Sequence, residues 1–386
     1  MKILMIGTSD ITGGAAKLSW DLGENLRKSG VWVRHIVGYK DSDSPHAHQL
    51  KVFLHKNISK NLRHLRSYVL ANDQNFGLDE EIINHPWYVE ADIIHIHNIH
   101  GNFISLEALQ KISIEKKVVW TLHDMWPITS HCAYTKSSED DNHNPVDCNL
   151  KSYPPILWDN KKNLWSNKLQ KIENSNINFV SPSKWLQKKF LQTMKNNTVI
   201  HISNGVDTNI FKKTNKARNR KVLNLPKDKK IALFISQGGK KNSRKGWNYV
   251  EGLSNKHKDT VFLTIGGKED KTSENLVFRS NIKDMGKLAS YYSAADVFLF
   301  PSLADNCPLT VLEAKSTGTP ILAFDVGGVG ELIEHKRDGY LAKYKNKKDL
   351  EKGFSYLLNK KPSKNNGKKH SVELMTEKYQ KLYSEL

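Results

Sequence analysis

The sequence predicts an α/β protein of two doubly wound, Rossmann-like domains facing each other across a cleft, on three observations. Short apolar runs alternate with helix-period patterns from end to end, which is how parallel strands joined by helical crossovers read. The alternation runs through five strands, breaks, and restarts near Lys230. A chain of 386 residues is also too long for one ordinary core, whereas two domains of roughly 150–200 residues accommodate it.

In the first half the strand candidates are KILMIG, VWVRHIVGY, ADIIHIHN, KKVVWTLHD and INFVSPS, each apolar enough to be buried on both faces. In open α/β sheets ligands sit beyond the carboxyl ends of the strands, so the residues just after each strand are the first candidates for function. After the first strand, Gly13 and Gly14 precede a helix whose apolar face uses Ala16, Leu18, Leu22 and Leu26. Paired glycines let backbone N–H groups approach a phosphate at a helix N-terminus. A tight turn explains them equally, and the pair is not the G-x-G-x-x-G fingerprint of dinucleotide binders. WTLHDMWP places His123 and Asp124 at a strand end, where they can orient a substrate hydroxyl or stabilise developing charge. A histidine satisfied by its structural neighbours is the bland alternative.

The seam falls in VIHISNGVDTNIFKKTNKARNRKVLNLPKDKKI, which is rich in Asn, Lys and Asp and has little periodicity. The expected domains are 1–205 and 206–369, with a terminal helix near 370–386 packing back on the first. The second half supplies the strands KIALFISQGG, TVFLTIGG, DVFLFPS, TPILAFD and GYLAKY. Arg244 and Lys245 arrive just before a helix beginning near Gly246, so two cations and a helix N-terminus could take a diphosphate; the alternative is a solvated basic loop. Pro301 and Ser302 end the third of these strands, and ADNCPLT forms a loop into a helix starting around Pro308. Asp305 occupies that loop and Glu313, eight positions on, the second helical turn. Two carboxylates there are costly unless something binds them. A carboxylate in the second turn can accept hydrogen bonds from two vicinal hydroxyls, as on a ribose.

Charge is lopsided, with 59 Lys+Arg against 40 Asp+Glu and a formal net of +19. That favours nucleic acid, acidic lipid headgroups or phosphorylated substrates as partners, or only a soluble surface. The lysines are scattered, no nucleic-acid module is present and no aromatics interleave the basic runs, so nucleic acid is not the expected partner. HKNISKNLRHLRSYVL and LWDNKKNLWSNKLQKI read as basic amphipathic helices, the second carrying Trp158 and Trp165 seven apart on one face. Such helices lie on an anionic membrane surface, or are ordinary solvated helices with a core-facing Trp. Three cysteines, Cys132, Cys148 and Cys307, suggest a reducing compartment. MKILMIGTSD is too briefly apolar for a signal peptide, and no run suffices to span a bilayer, so the expected location is cytoplasmic with peripheral membrane contact.

PSLADNCPLTVLEAKSTGTPILAFDVGGVGELI resembles the signature segment of the retaining glycosyltransferases of family 4, which have the GT-B fold and carry two acidic residues, usually Glu-x7-Glu. GGAA, DIIHIHN, LHDMW, VSPSKW, ISNGVD and RKG follow in the family's order, and HIHNIHG with WTLHDMWPITSHCAYT resembles the branch building bacterial exopolysaccharide, capsule and O-antigen units. The resemblance implies transfer of a hexose, with retention, from a UDP- or GDP-sugar to a polyprenyl-linked or saccharide acceptor, with no metal or other cofactor. It implies that Gly13, Gly14, Arg244 and Lys245 meet the donor diphosphate, with Cys307, Pro308 and Leu309 in the adjoining loop. It gives His123 and Asp305 to the transferred sugar as catalytic groups, with Asn306 beside Asp305, and Glu313 to the ribose. Ile282 would lie near the base, and Asp124, Trp126 and Asn204 on the acceptor side.

Three features depart from the family pattern. Asp305 replaces the commoner Glu. Gly239 and Lys240 stand where an arginine is usual, so Lys240 or Lys241 would supply that charge. The loop HCAYTKSSEDDNHNPVDCNLKSYPP keeps only two cysteines, and His131, Cys132, His143 and Cys148 match no standard zinc spacing, so a disordered or acceptor-contacting loop is expected. A nucleotide-sugar epimerase of the same fold is the nearest rival; it gives no reason for RKG to occur with the Asp305/Glu313 pair.

Overall fold

β-Branched and aromatic runs build two seven-stranded sheets, one in each of two units, Met1–Ser203 with Met375–Leu386 and Asn204–Leu374. The computed structural model describes residues 1–50, 58–74, 78–101, 103–135, 143–359 and 367–386.

The first unit contains β1 (Lys2–Ser9), β2 (Trp32–Tyr39), β3 (Ala47–Gln49), β4 (Ile93–Ile96), β5 (Lys117–Thr121), β6 (Ile177–Ser181) and β7 (Val199–His201). They lie in the order β3-β2-β1-β4-β5-β6-β7, every neighbouring pair parallel. Parallel strands need crossovers over both faces, which is why Leu4, Ile6, Ile94, Ile96, Val118 and Trp120 are all but unexposed. The helix Gly14–Lys28 buries Ala16, Leu18, Leu22 and Leu26, the face its spacing predicts, and places Arg27 and Lys28 at the negative end of its dipole. The terminal helix Val372–Glu385 brings Tyr379 and Tyr383 to this sheet: their hydroxyls lie 2.8 Å from Thr121 Oγ1 and 2.6 Å from His95 Nδ1.

The second unit contains β8 (Lys230–Ile235), β9 (Thr260–Gly267), β10 (Lys271–Ser273), β11 (Leu276–Ser280), β12 (Val297–Phe300), β13 (Ile321–Phe324) and β14 (Gly339–Ala342). Their order is β10-β11-β9-β8-β12-β13-β14, parallel except for the β10–β11 hairpin. In each sheet the chain winds outward from one strand and then resumes on that strand's other side, between β1 and β4 and between β8 and β12. Helices diverge at such a switch point and leave a crevice at the carboxyl ends, so the loops after these four strands are where a ligand fits.

Several expectations fail on local physics. β3, β7, β10 and β11 have no strand counterpart in the sequence reading, because three-residue edge strands (β3, β7 and β10) and a strand half-buried at every position (β11, between β10 and β9) carry too little apolar pattern. The second basic helix begins at Lys161, not Leu157, so Trp158 and Trp165 do not share a helix face. Trp158 instead stands in the preceding loop, where its indole N–H donates to the Val69 carbonyl at 3.0 Å. The first basic helix spans Ile58–Val69; residues 55–57 of that stretch lie outside the described residues. Cys132 and Cys148 are joined as a disulfide with their Cα atoms 5.8 Å apart, contrary to the reducing environment expected, and Cys307 is a buried free thiol. Their sulfurs are therefore committed to each other, and no cluster of metal-ligating side chains forms among the described residues; residues 136–142 of that loop lie outside them. No helix among the described residues is long and apolar enough to cross a membrane.

Candidate active site

The second unit's switch point gathers charge. Its loops are brought together by two glycines that no other residue can replace without movement. Gly246 has φ +75° and a Cβ there would sit 1.9 Å from the Pro301 carbonyl oxygen, so only glycine lets the Arg244–Lys245 turn lie against the end of β12. Gly327, at φ +57°, would carry a Cβ 2.1 Å from the Asp305 carbonyl oxygen, which instead accepts the Gly328 N–H at 3.1 Å. The Leu303 N–H donates to the Arg244 carbonyl at 2.8 Å, stitching the two loops.

Within this frame Asp305 is 8% exposed, and its Oδ2 accepts from Ser302 Oγ at 2.5 Å and Lys245 Nζ at 2.9 Å, with Arg244 Nη1 at 3.3 Å. Burial is the largest influence on Asp305 and opposes ionisation, but Lys245, then Arg244, then the Ser302 hydroxyl outweigh it and hold the carboxyl below its usual range. Burial likewise dominates at Lys245 and lowers its pKa, with Asp305 pulling the other way. Two cations facing one carboxylate leave a net positive charge at a switch point. The helix Trp247–Lys256 starts directly after it, adding the positive end of its dipole. Lys240 Nζ stacks over Trp247 and Phe278 at 4.7 and 4.6 Å from their ring centroids, and the side chain of Lys241 lies outside the described residues.

Pro308 caps the helix Leu309–Ser316 from outside, rather than lying in its first turn. Glu313 on that helix is 7% exposed, and its Oε2 accepts the Tyr292 hydroxyl at 2.8 Å. Burial first and Glu313 second push that phenol well above its usual pKa. Asn204, expected on the acceptor side, belongs to this second unit, where its Nδ2 donates to the Cys307 carbonyl at 2.7 Å. Asn306 and Cys307 are buried, and Ile282 is half-buried in the loop after β11.

The first unit's switch point is rich in histidine. Gly13, at φ +100°, caps the helix Gly14–Lys28, and a Cβ on it or on Gly14 would meet nothing within 4 Å, so the backbone there is open to an approaching group. His97, one residue past β4, places Nδ1 2.8 Å from Nε2 of His123 after β5, with the rings stacked. Burial lowers His95 to about 3 and His123 to about 4, and drives His97 well below its usual value, so all three rings are neutral near pH 7. His100 differs. Burial is its largest influence and lowers it, yet the charge of Asp124 and a 2.9 Å hydrogen bond to Asp124 Oδ2 outweigh burial and raise its pKa. The effect is reciprocal: burial raises Asp124, but His100 overrides it and the carboxyl is lowered.

Trp126 lies in the core, 2% exposed, with its indole N–H donating to Asp73 Oδ2 at 2.7 Å and its backbone N–H to Asp124 Oδ1 at 2.9 Å. Lys168 is fully buried beneath it: Nζ donates to the Trp126 carbonyl at 2.7 Å, and burial lowers its pKa to about 7. A cavity of about 550 Å³, lined by Met1, Ile93, Lys117 and Tyr383 among others, opens instead at the amino-terminal ends of β1, β4 and β5, away from both switch points.

The fold therefore brings Arg244, Lys245 and Asp305 into contact and sets Glu313 on the next helix. Separately, it joins His123 to His97 and Asp124 to His100. The sequence reading did not single out His97, His100, Asp73, Lys168, Ser302 or Tyr292. HIHNIHG carries a signal for the first two, since histidines spaced along a strand end emerge on the same rim.

Residues 12–210 match the family model for Glycosyltransferase Family 4, and residues 215–371 match that for Glycosyl transferases group 1. A putative colanic acid biosynthesis glycosyl transferase, WcaC of Escherichia coli K12, is 26% identical over 352 residues, covering 86% of this chain and 85% of its own. The N,N'-diacetylbacillosaminyl-diphospho-undecaprenol α-1,3-N-acetylgalactosaminyltransferase of Campylobacter jejuni is 29% identical over 136 residues, 32% of this chain and 36% of its own. Among solved structures, sucrose-phosphate synthase from Thermosynechococcus elongatus superposes with a TM-score of 0.68 at 18% identity, covering 100% of this chain and 99% of that one. Anabaena HepE in complex with UDP-glucose superposes with a TM-score of 0.66 at 13% identity over 100% of both chains. These two structures share the fold.

Proposed function

The chain belongs to glycosyltransferase family 4 and is a glycosyltransferase, and from that premise we propose that it moves a hexose from a nucleoside-diphosphate sugar to a lipid-linked saccharide in surface-polysaccharide synthesis, with retention at the anomeric carbon. The observation that carries this reading is the second unit's charge cluster: Lys245 and Arg244, paired to a single buried carboxylate, at the carboxyl ends of β8 and β12. The bond from the sugar's anomeric carbon to the diphosphate oxygen breaks, and its electrons leave with the diphosphate. Two cations and a helix N-terminus stabilise that charge in place, so no metal is assigned to the step. The departing phosphate oxygen takes the acceptor hydroxyl's proton while the acceptor oxygen bonds the same sugar face. Asp305 is assigned to the transferred sugar and Glu313 to the ribose, where one carboxylate can serve two vicinal hydroxyls. His123 is assigned to the sugar as well. Gly13 and Gly14 are assigned to an anionic group, because their backbone is uncovered.

The name of the Escherichia coli relative supports surface polysaccharide as the pathway, and that of the Campylobacter jejuni relative supports a diphospho-undecaprenol acceptor. A membrane-facing surface fits a lipid-linked acceptor. Leu62, Leu65 and Val69 share one face of the helix Ile58–Val69, and with Leu70, Leu157 and Trp158 they are each 45–59% exposed. Hydrogen bonds from Leu157 N to the Tyr68 carbonyl and from Trp158 to Val69 join the two segments into one apolar ridge flanked by exposed Arg66 and Lys162. Vesicles of phosphatidylglycerol and phosphatidylethanolamine should carry the protein up a flotation gradient at low salt, while pure phosphatidylcholine should carry far less. Equal behaviour with both would remove the anionic surface from the proposal.

Glu313→Ala tests the donor assignment. UDP and GDP binding by calorimetry should weaken by roughly 10–100-fold for the nucleotide the enzyme uses, since hydrogen bonds to a charged group contribute about 1.5–3 kcal/mol. Glu313→Gln, which keeps the shape and a partner for Tyr292, should lie between the two. A variant that binds both nucleotides as the parent binds them would refute the ribose assignment.

A further inference from the structure

A carboxylate taken wholly out of water is costly unless hydrogen bonds replace its hydration. Asp10, the residue after β1, is 0% exposed. Four short hydrogen bonds converge on it. Its Oδ1 accepts from the backbone N–H groups of Ile11 and Asp41, both at 2.9 Å. Its Oδ2 accepts from the Ser42 N–H at 3.0 Å and the Ser42 hydroxyl at 2.6 Å. A carboxylate offers about four acceptor positions, and these four bonds fill them. A longer contact from Ser9 Oγ reaches Oδ1 at 3.5 Å.

The donors come from two loops. Ile11 belongs to the turn between β1 and the helix Gly14–Lys28, whereas Asp41 and Ser42 belong to the loop after β2. The joint is reinforced on both sides. The Asp10 N–H donates to the Tyr39 carbonyl at 3.3 Å, and the Thr12 N–H to Ser9 Oγ at 3.1 Å. Ser42 Oγ, which gives its proton to Asp10, accepts in turn from the Ser44 N–H at 3.3 Å. Three residues beyond Asp10 the same turn presents Gly13, at φ +100°, followed by an exposed Gly14. As N-cap, Gly13 brings no side-chain acceptor to the helix start. We propose that Asp10 is a positioning residue of the transfer reaction: it clamps the loop after β1 to the loop after β2, and so holds the Gly13–Gly14 backbone in place for the donor's diphosphate.

The physical basis is preorganisation. A loop beyond a strand end is ordinarily mobile, and ordering it is entropically costly. Bonds within the protein meet that cost on folding, so the ligand need not meet it on binding. The amides that bond Asp10 are those of Ile11, Asp41 and Ser42, so the clamp draws on neither glycine's N–H. The geometry also calls for a carboxylate rather than an amide. Asparagine would turn one of the two oxygens into an N–H₂ donor, facing either the Ile11 and Asp41 amides or the Ser42 amide, donor to donor. One loop would then separate from the other, and the glycine turn would move with it.

This inference rests on the assignment of Gly13 and Gly14 to an anionic group, and the experiment separates the two. The full chain, labelled with ¹⁵N in glycine, is titrated with inorganic pyrophosphate at a temperature where melting curves show parent and variants folded. The Gly14 resonance is assigned by its loss in Gly14→Ala, a change for which the structure leaves open space. Pyrophosphate should move that resonance saturably in the parent. In Asp10→Asn the half-saturating concentration should rise roughly tenfold, the equivalent of one lost hydrogen bond. Ser42→Ala removes a single bond to Asp10 from a half-buried side chain, so it decides the matter even where Asp10→Asn fails to fold; it should raise the same concentration about threefold. A variant that melts lower yet binds pyrophosphate at Gly14 as the parent does would leave Asp10 a structural role only. If Gly14 in the parent does not respond, the anionic assignment of the glycines fails and the clamp's role in transfer falls with it. If it responds, and every variant that folds binds as tightly as the parent, the glycine assignment stands and the clamp alone is overturned.

Discussion

Replacing Asp305 with Asn removes one charge and almost no volume, so it isolates what the carboxylate does for the second unit. At 2.9 Å the Lys245–Asp305 attraction is about 6 kcal/mol at an effective dielectric near 20, a gross figure that desolvation of both groups largely offsets. Arg244, with its side chain 38% exposed, is screened and adds at most about 1 kcal/mol. Breaking such a pair costs more than the pair contributes, because the surviving cation stays buried: typically about 3–5 kcal/mol. Lys245 keeps 19% exposure and can partly rehydrate, which puts the expected loss at about 3 kcal/mol. For a unit of this size that lowers its melting temperature by roughly 6–12 °C in scanning calorimetry at pH 7. The pH dependence supplies the check. Asp305 has its carboxyl pKa lowered in the folded chain, so its stabilisation is complete above the ordinary aspartate value of 3.8 and disappears as pH falls through the folded value. The gap between parent and variant should therefore close in acid. A variant melting within a degree of the parent at pH 7, or a gap that persists unchanged at pH 3, would refute the charge argument.

The glycines give a paired prediction. Gly246→Ala should destabilise the second unit by at least about 3 kcal/mol, since the new Cβ meets a backbone oxygen at 1.9 Å and φ is +75°, whereas Gly252→Ala, in helix interior with open space, should stabilise it by about 1 kcal/mol; denaturant midpoints that rank the two the other way would count against the packing described. Histidine predicts acid sensitivity in the first unit. His35, His95, His97 and His123 are all lowered by burial, so the unfolded chain takes up their protons first and stability falls as pH drops from about 6.5 towards 4, by up to ~1.4 kcal/mol per group per pH unit. His100, raised by Asp124, acts in the opposite sense, stabilising below its ordinary value and losing that contribution as pH rises through the folded one. A first-unit transition that does not move between pH 6.5 and 4.5 would show that these rings are not neutral in the fold.

The sequence by itself determined the two doubly wound units and which residues follow the end of each long strand. Buried parallel strands must be written as continuous apolar runs, and each run is followed by the polar residues that turn the chain. The motif order carried Arg244, Lys245, Asp305 and Glu313 for the same reason: all lie within a few residues of a strand end or helix start, where local pattern is strong. Short edge strands such as β3, β7 and β10 were illegible, because two or three hydrogen-bonded residues need no composition of their own. The orientation of Trp158 is illegible for a related reason. Periodicity was extended through Trp158, but the helix begins at Lys161 and a tertiary hydrogen bond to Val69 decides where that ring points. Pairings between distant segments were beyond any pattern in the chain. Cys132 with Cys148, His97 with His123, His100 with Asp124 and Lys168 beneath Trp126 exist because β4, β5 and the helix Lys161–Glu173 converge on one end of a sheet. Strand order fixes which loops meet, and burial at that meeting point sets the charge states of the groups they carry. Neither is encoded locally, so only the folded chain decides them.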